Sequence, residues 1–203
     1  MRASAVIISP SADGNVTKDF DSGAFSVDTT GPNVSAAFYS TEELRGILEF
    51  PIDSIPVGSL INSATLSLYE DLIVNGTGMD DVTATFQMCG YVGDGAVTAG
   101  DWNSDGLSLQ NFTGGSFGTM TFDVTPFVQE LVSGGDSYSG FLIKGFTPYF
   151  LVGFDSTEGV SIYPHPVLDV EFTPVPEPSV LTLVLVGGSI IAFTRHSLRA
   201  HLS

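Results

Sequence analysis

Basic residues are scarce in this sequence: six lysines and arginines stand against 23 acidic residues over 203 positions, a formal net charge of −17. A surface of that sign repels phosphate backbones, which excludes nucleic acid as a partner. Cysteine is scarcer still. The single Cys89 permits no disulfide framework and no cysteine-based zinc site, and its place in an apolar alternation predicts a buried, inert thiol. The three histidines are His165, set between two prolines, and His196 and His201 near the C-terminus. So placed, they supply neither a metal triad nor a base with an orienting carboxylate. The N-terminal apolar stretch, residues 3–8, is shorter than the roughly 7–15-residue apolar region of a secretory signal.

What is plentiful is phenylalanine (15) and glycine (23), a mix that favours an all-β domain with many turns. The strand signal is period two. Ala64, Leu66 and Leu68 alternate with Thr65, Ser67 and Tyr69. Val82, Ala84, Phe86 and Met88 do the same, as do Met120, Phe122 and Val124. Further strands are expected at residues 140–144, 150–155 and 167–172. Residues 11–43 are loosely patterned, with strand-like pieces at Val16 and 34–39, and residues 90–118 read as a Gly/Asp-rich loop. One soluble helix is predicted, with Thr125 as N-cap, Pro126 first in the helix and Gly134 just past its end. The expectation is an antiparallel β-sandwich of jelly-roll or Greek-key type over residues 1–172.

Beyond Phe172 the composition changes. Residues 173–179 hold three prolines and form a stiff linker. Residues 180–194 carry no charge and are followed by Arg195 and Arg199. As a helix these fifteen residues reach about 22 Å at ~1.5 Å per residue, short of the ~30 Å hydrocarbon core. Snorkelling by Arg195 narrows the gap. The expectation for residues 180–203 is therefore a short transmembrane helix with a basic end. Residues 1–178 hold four basic side chains against 23 acidic ones, a net of −19. Retention of positive charge on the cytoplasmic side places that part on the outer side of the membrane.

Val175-Pro176-Glu177-Pro178-Ser179, a short hydrophobic helix and terminal arginines, in that order, resemble the PEP-CTERM sorting signal of Gram-negative bacteria. The resemblance implies that an exosortase, a membrane cysteine protease, recognises Pro176-Glu177-Pro178 and cleaves nearby. It further implies an inner-membrane intermediate, a final place at the cell surface or outside it, and an association with exopolysaccharide and biofilm. The domain itself resembles the DNRLRE-type sandwich of bacterial surface proteins. That likeness rests on Arg45-Gly46-Ile47-Leu48-Glu49-Phe50, Ile55-Pro56-Val57-Gly58, Ala64-Thr65-Leu66-Ser67-Leu68-Tyr69, Phe122-Asp123-Val124-Thr125-Pro126-Phe127-Val128-Gln129 and Gly140-Phe141-Leu142-Ile143-Lys144. Some members of that group are carbohydrate-binding modules, so polysaccharide is an implied ligand.

No catalytic constellation emerges, and the chain is expected not to be an enzyme. Gly135-Asp136-Ser137 is similar to an esterase nucleophile block but follows the helix and lacks a histidine partner, so a turn is the reading. Glu42-Glu43 reads as a solvated edge rather than a glycosidase pair. No cofactor is implied, with calcium the one open alternative. Residues 93–101 resemble the second half of a calcium loop, with Asp94, Asp101 and Asp105 as candidate ligands, but the earlier ligand positions, Gly90 and Val92, carry no carboxylate. Trp102, the only tryptophan, is either a sugar-stacking platform or an edge-of-core aromatic. The expected function is a non-catalytic exported surface or matrix protein. The alternative is a carbohydrate-binding module.

Overall fold

A computed structural model describes residues 2–76, 84–104, 106–159 and 163–175. Its strands are Ser4–Ile8 (β1), Ala12–Asp19 (β2), Phe25–Asp28 (β3), Asn33–Phe38 (β4), Glu42–Pro51 (β5), Leu60–Asn75 (β6), Ala84–Val92 (β7), Leu107–Gly114 (β8), Gly118–Asp123 (β9), Tyr138–Gly145 (β10), Phe150–Asp155 (β11) and Val167–Thr173 (β12). Among the described residues one α-helix, Thr125–Gly134 (α1), lies between β9 and β10. The pairings between strands are antiparallel and link them into one curled sheet. One layer runs β3-β2-β5-β10-β7-β8. In the other, β12 and β9 flank the first part of β6, β1 lies outside β12, and β11 with β4 continues along the far part of β6.

The alternation read from the sequence is what closes these layers on each other. Ala64, Leu66 and Leu68 of β6 are buried while their neighbours point outward. They meet Phe50, Phe86 and Phe141 of the first layer in one continuous core. Phe112 bridges the layers, with its ring 5.2 Å from Phe122 and 6.2 Å from Phe154. Helix α1 closes one end with Phe127, Val128, Leu131 and Val132.

Four local expectations are corrected. The 11–43 stretch is ordered as β2, β3 and β4, because its polar residues are satisfied by pairing with β5 and β11 rather than by solvent. The 90–118 stretch holds the end of β7, a 3-10 turn at Ala99–Asn103, and β8. Thr125 begins the helix rather than capping it, since its Oγ1 accepts the Ala64 N–H at 2.8 Å. Asp123 Oδ1 instead accepts the Thr125 N–H at 3.0 Å. At the other end Gly135, not Gly134, is the cap, in the left-handed region at φ 79°. A Cβ there would make an ordinary van der Waals contact with Val57 at 3.8 Å and no clash, so Gly135→Ala adds chiefly backbone strain. It is expected to cost about 1 kcal/mol, read as a lower urea midpoint at unchanged slope.

The elements define two ends. Leu60, Thr173 and α1 share one. The turns after Asp19, Phe38 and Gly145, with the last residues of β6, share the other. Among the described residues no helix is long and apolar enough to cross a membrane. The expected transmembrane helix and its flanking Arg195 and Arg199 lie outside the described residues.

Candidate functional site

Outward-facing residues of β2, β5, β7 and β10 carry a second, smaller core of Val16, Ile47, Cys89 and Leu142, roofed by Tyr91, Val97 and Trp102. Cys89 is buried, as expected. The roof is fastened by Glu49. Its Oε1 accepts the Tyr91 hydroxyl at 2.7 Å, and its Oε2 accepts the backbone N–H of Asp94 at 2.9 Å and that of Gly95. Burial holds the Glu49 carboxyl above its ordinary pKa, against the pull of those three hydrogen bonds. Burial and the Glu49 carboxylate together push the Tyr91 hydroxyl up as well.

Where the roof ends, toward the turn end of the sandwich, the same outer face becomes cationic and aromatic. A cleft of about 160 Å3 is lined by Phe38, Glu43, Arg45, Lys144, Gly145 and Phe146. The register explains the grouping. Arg45 lies opposite Val16 and Glu43 opposite Lys18 on β2, while on β10 the pairing of Ile143 with Gly46 puts Lys144 beside Arg45. Three of the four basic residues of positions 1–178 thus share this strip, in a segment whose net charge is −19. Arg45 is preorganised: Nε donates to Glu43 Oε1 at 2.7 Å, Nη1 donates to the Trp102 carbonyl at 2.6 Å, and the guanidinium stacks 4.2 Å from the Trp102 ring. Glu43, expected as a solvated edge, is instead 9% exposed and held by this ion pair.

Phe38 and Phe146 are the aromatic residues that line the cleft. Phe146 is 51% and Tyr149 46% exposed. Phe20 packs edge-on to Phe38, and Tyr39 faces Tyr149. Lys144 Nζ lies 5.8 Å from the Phe146 ring centre. Tyr149 is the sole non-glycine residue with positive φ among the described residues, at 66°. It is kept there by its N–H donating to the Phe38 carbonyl at 2.7 Å and its carbonyl accepting from Gly76 at 2.8 Å. A bulky residue in that region stores about 1–3 kcal/mol of strain.

The residues singled out from sequence fall as follows. Trp102 is 4% exposed, with Arg45 on its face and Phe25 edge-on at 5.8 Å. It lies at the edge of the small core and braces the cleft from behind. Asp101 Oδ2 accepts the N–H and hydroxyl of Thr98, closing a capping box. Asp94 Oδ1 accepts the Ala96 N–H at 3.0 Å. The two aspartates serve the loop's own turns, and among the described residues no group of three His, Cys, Asp or Glu side chains is placed to hold a metal ion. Asp105 lies outside the described residues, as do Pro176, Glu177 and Pro178. Val175 is exposed just beyond β12.

One pairing escaped the sequence reading. His165 does have an orienting carboxylate: its Nδ1 stands 3.0 Å from Asp155 Oδ2 and 2.6 Å from the Ser156 carbonyl. Beside it, Thr157 donates its N–H to buried Asp13 at 2.9 Å and its hydroxyl to Glu158. These contacts clamp the segment after β11 onto β2.

No family model matches the chain, and no curated protein matches it. Among solved structures it is similar to the K3 cleaved adhesin domain of Lys-gingipain from Porphyromonas gingivalis W83, with 13% identity and a TM-score of 0.40 over 82% of this chain and 99% of that one. It is also similar to a latent aurone synthase (polyphenol oxidase), with 13% identity and a TM-score of 0.32 over 64% of this chain and 25% of that one. Likeness at this level carries no argument about ligand or activity.

Proposed function

We propose that this chain is a non-catalytic exported surface or matrix protein, processed through its C-terminal sorting signal, whose sandwich holds a polysaccharide in the Arg45–Lys144 cleft. The observation that carries the binding role is the gathering of Lys18, Arg45 and Lys144 beside exposed Phe146, with exposed Tyr149 bonded through its backbone to Phe38 of the cleft, on a domain otherwise acidic. Aromatic faces stack on sugar rings, and fixed cations hold carboxylate or sulfate substituents. Acidic polysaccharide is therefore the preferred ligand class. The sorting role rests on the order of Pro176-Glu177-Pro178, the uncharged run and the arginines. We read the strand connections as those of a jelly roll, in keeping with the DNRLRE-type resemblance.

The binding role is tested by titrating the full chain with a soluble polyuronate and with a neutral glucan. Lys144→Ala is expected to weaken polyuronate binding about tenfold and to flatten its salt dependence. Tyr149→Asn, which suits positive φ, is expected to weaken binding of both while leaving stability nearly unchanged. Absence of binding to either polymer would sink the binding role. The sorting role is tested by expression with and without an exosortase. An uncleaved cytoplasmic product in both hosts would overturn it.

A further inference from the structure

We infer that the cleft points away from the membrane while the chain is still tethered by its tail, so the protein can engage polysaccharide before it is released. This deepens the reading above and rests on it. Thr173, after which the linker leaves the sandwich, lies opposite Leu60, the first residue of β6. The last residue of β6, Asn75, lies opposite Phe150, and the next, Gly76, donates its N–H to the carbonyl of Tyr149, whose own N–H donates to Phe38 of the cleft. The 16 residues of β6 cover roughly 50 Å of contour at ~3.3 Å per residue, so exit point and cleft occupy opposite ends of the longest strand.

The remaining strands agree. In β5 the cleft residues Glu43 and Arg45 come first and Pro51 last. Pro51 pairs with Tyr138 just after α1, and the next residue, Ile52, donates its N–H to the Ser137 carbonyl. In β10 the order is reversed, with Lys144 and Gly145 at the cleft. Helix α1 therefore stands on the tail side of the core. Val57 and Leu60, 69% and 59% exposed, are on that side too. The turn at Ser40 lies on the cleft side, between β4 and β5.

The full chain in phosphatidylcholine vesicles, compared with the same chain in detergent micelles, tests this. A soluble polyuronate serves as the binding probe. Affinity is expected to agree between the two within about twofold, because tethering at one end leaves the other accessible. Fluorophores are placed separately at Ser40→Cys and Leu60→Cys, with Cys89 buried and unreactive. A quencher on the lipid headgroups is expected to dim the Leu60 label and spare the Ser40 label. Binding in micelles but not on vesicles, or equal quenching at both positions, overturns the inference. Failure to bind in either medium overturns the reading of the cleft itself, and the quenching pattern still decides the orientation.

Discussion

Replacing Glu49 with alanine is expected to lower the unfolding free energy by about 3–5 kcal/mol, the range for breaking a buried, fully hydrogen-bonded charged group. The carboxylate is completely buried and serves three donors at once: the Tyr91 hydroxyl and the N–H groups of Asp94 and Gly95. Alanine leaves all three donors facing a void that the roof loop cannot fill. Gly95 is at φ 90°, and the Tyr138 ring would lie 2.7 Å from a Cβ there, so the loop has little room to slide. Glu49→Gln is the informative comparison. Its carbonyl can keep the two backbone N–H groups while its NH2 turns to the Tyr91 oxygen, since a hydroxyl accepts as well as donates. The expected cost is then about 1–2 kcal/mol. Urea denaturation measures both variants, and hydrogen exchange at Asp94 and Gly95 should accelerate in Glu49→Ala. A Glu49→Ala midpoint close to the parent would mean that Trp102 and Val97 hold the roof by packing alone.

Glu49 also shows where the sequence stops being readable. Strands β6, β9 and the first half of β7 are legible because each buries one face, and period two follows directly from that. Glu49 sits at outward parity in β5, beside inward Leu48 and Phe50, and parity alone makes it solvent-exposed. It is buried because a segment more than forty residues later folds over the outer face. The same remote coverage makes Trp102 a brace rather than a platform. The cleft was unreadable for a related reason. Its residues come from β4, β5, β10 and the turn after β10, about a hundred positions apart, and only the pairing of β5 with β2 and β10 gathers them. A signal was nevertheless present: basic residues are so few that three at outward parity in candidate strands stand out. The polar strands β2 to β4 were obscured by Asp, Asn, Thr and Gly, which read as turn formers in sequence. Asn15 shows the resolution, with its side chain donating to the Asn33 carbonyl and accepting from Ser35.

Stability is expected to peak at mildly acidic pH and to fall as pH rises through about 6, with Asp13 one contributor. Asp13 is 3% exposed, and burial, followed by a hydrogen bond with Glu158, raises its pKa from 3.8 to about 6. A carboxyl whose folded pKa exceeds its unfolded value binds its proton more tightly when folded. Its stabilising contribution is therefore complete below 3.8 and is lost as pH rises through about 6. The full shift corresponds to at most about 3 kcal/mol, and solvent around exposed Glu158 reduces this to about 1–2 kcal/mol. Burial moves Glu49, Glu70 and Asp71 in the same direction, and repulsion within a chain of net charge −17 adds to it. The opposing groups are Asp19, Asp28 and Asp123. Hydrogen bonds from Ser22, Thr30 and Thr125 lower them, so their contributions are lost as pH falls, but all three are solvated turn residues and contribute little. Thermal melts from pH 3 to 8 are the measurement. Asp13→Asn keeps an acceptor for the Thr157 N–H and removes the titration, so it is expected to melt higher than the parent at pH 7 and level with it near pH 4. An Asp13→Asn profile parallel to the parent's would place the pH dependence in the other buried carboxyls and leave Asp13 an ordinary hydrogen-bond acceptor for the segment after β11.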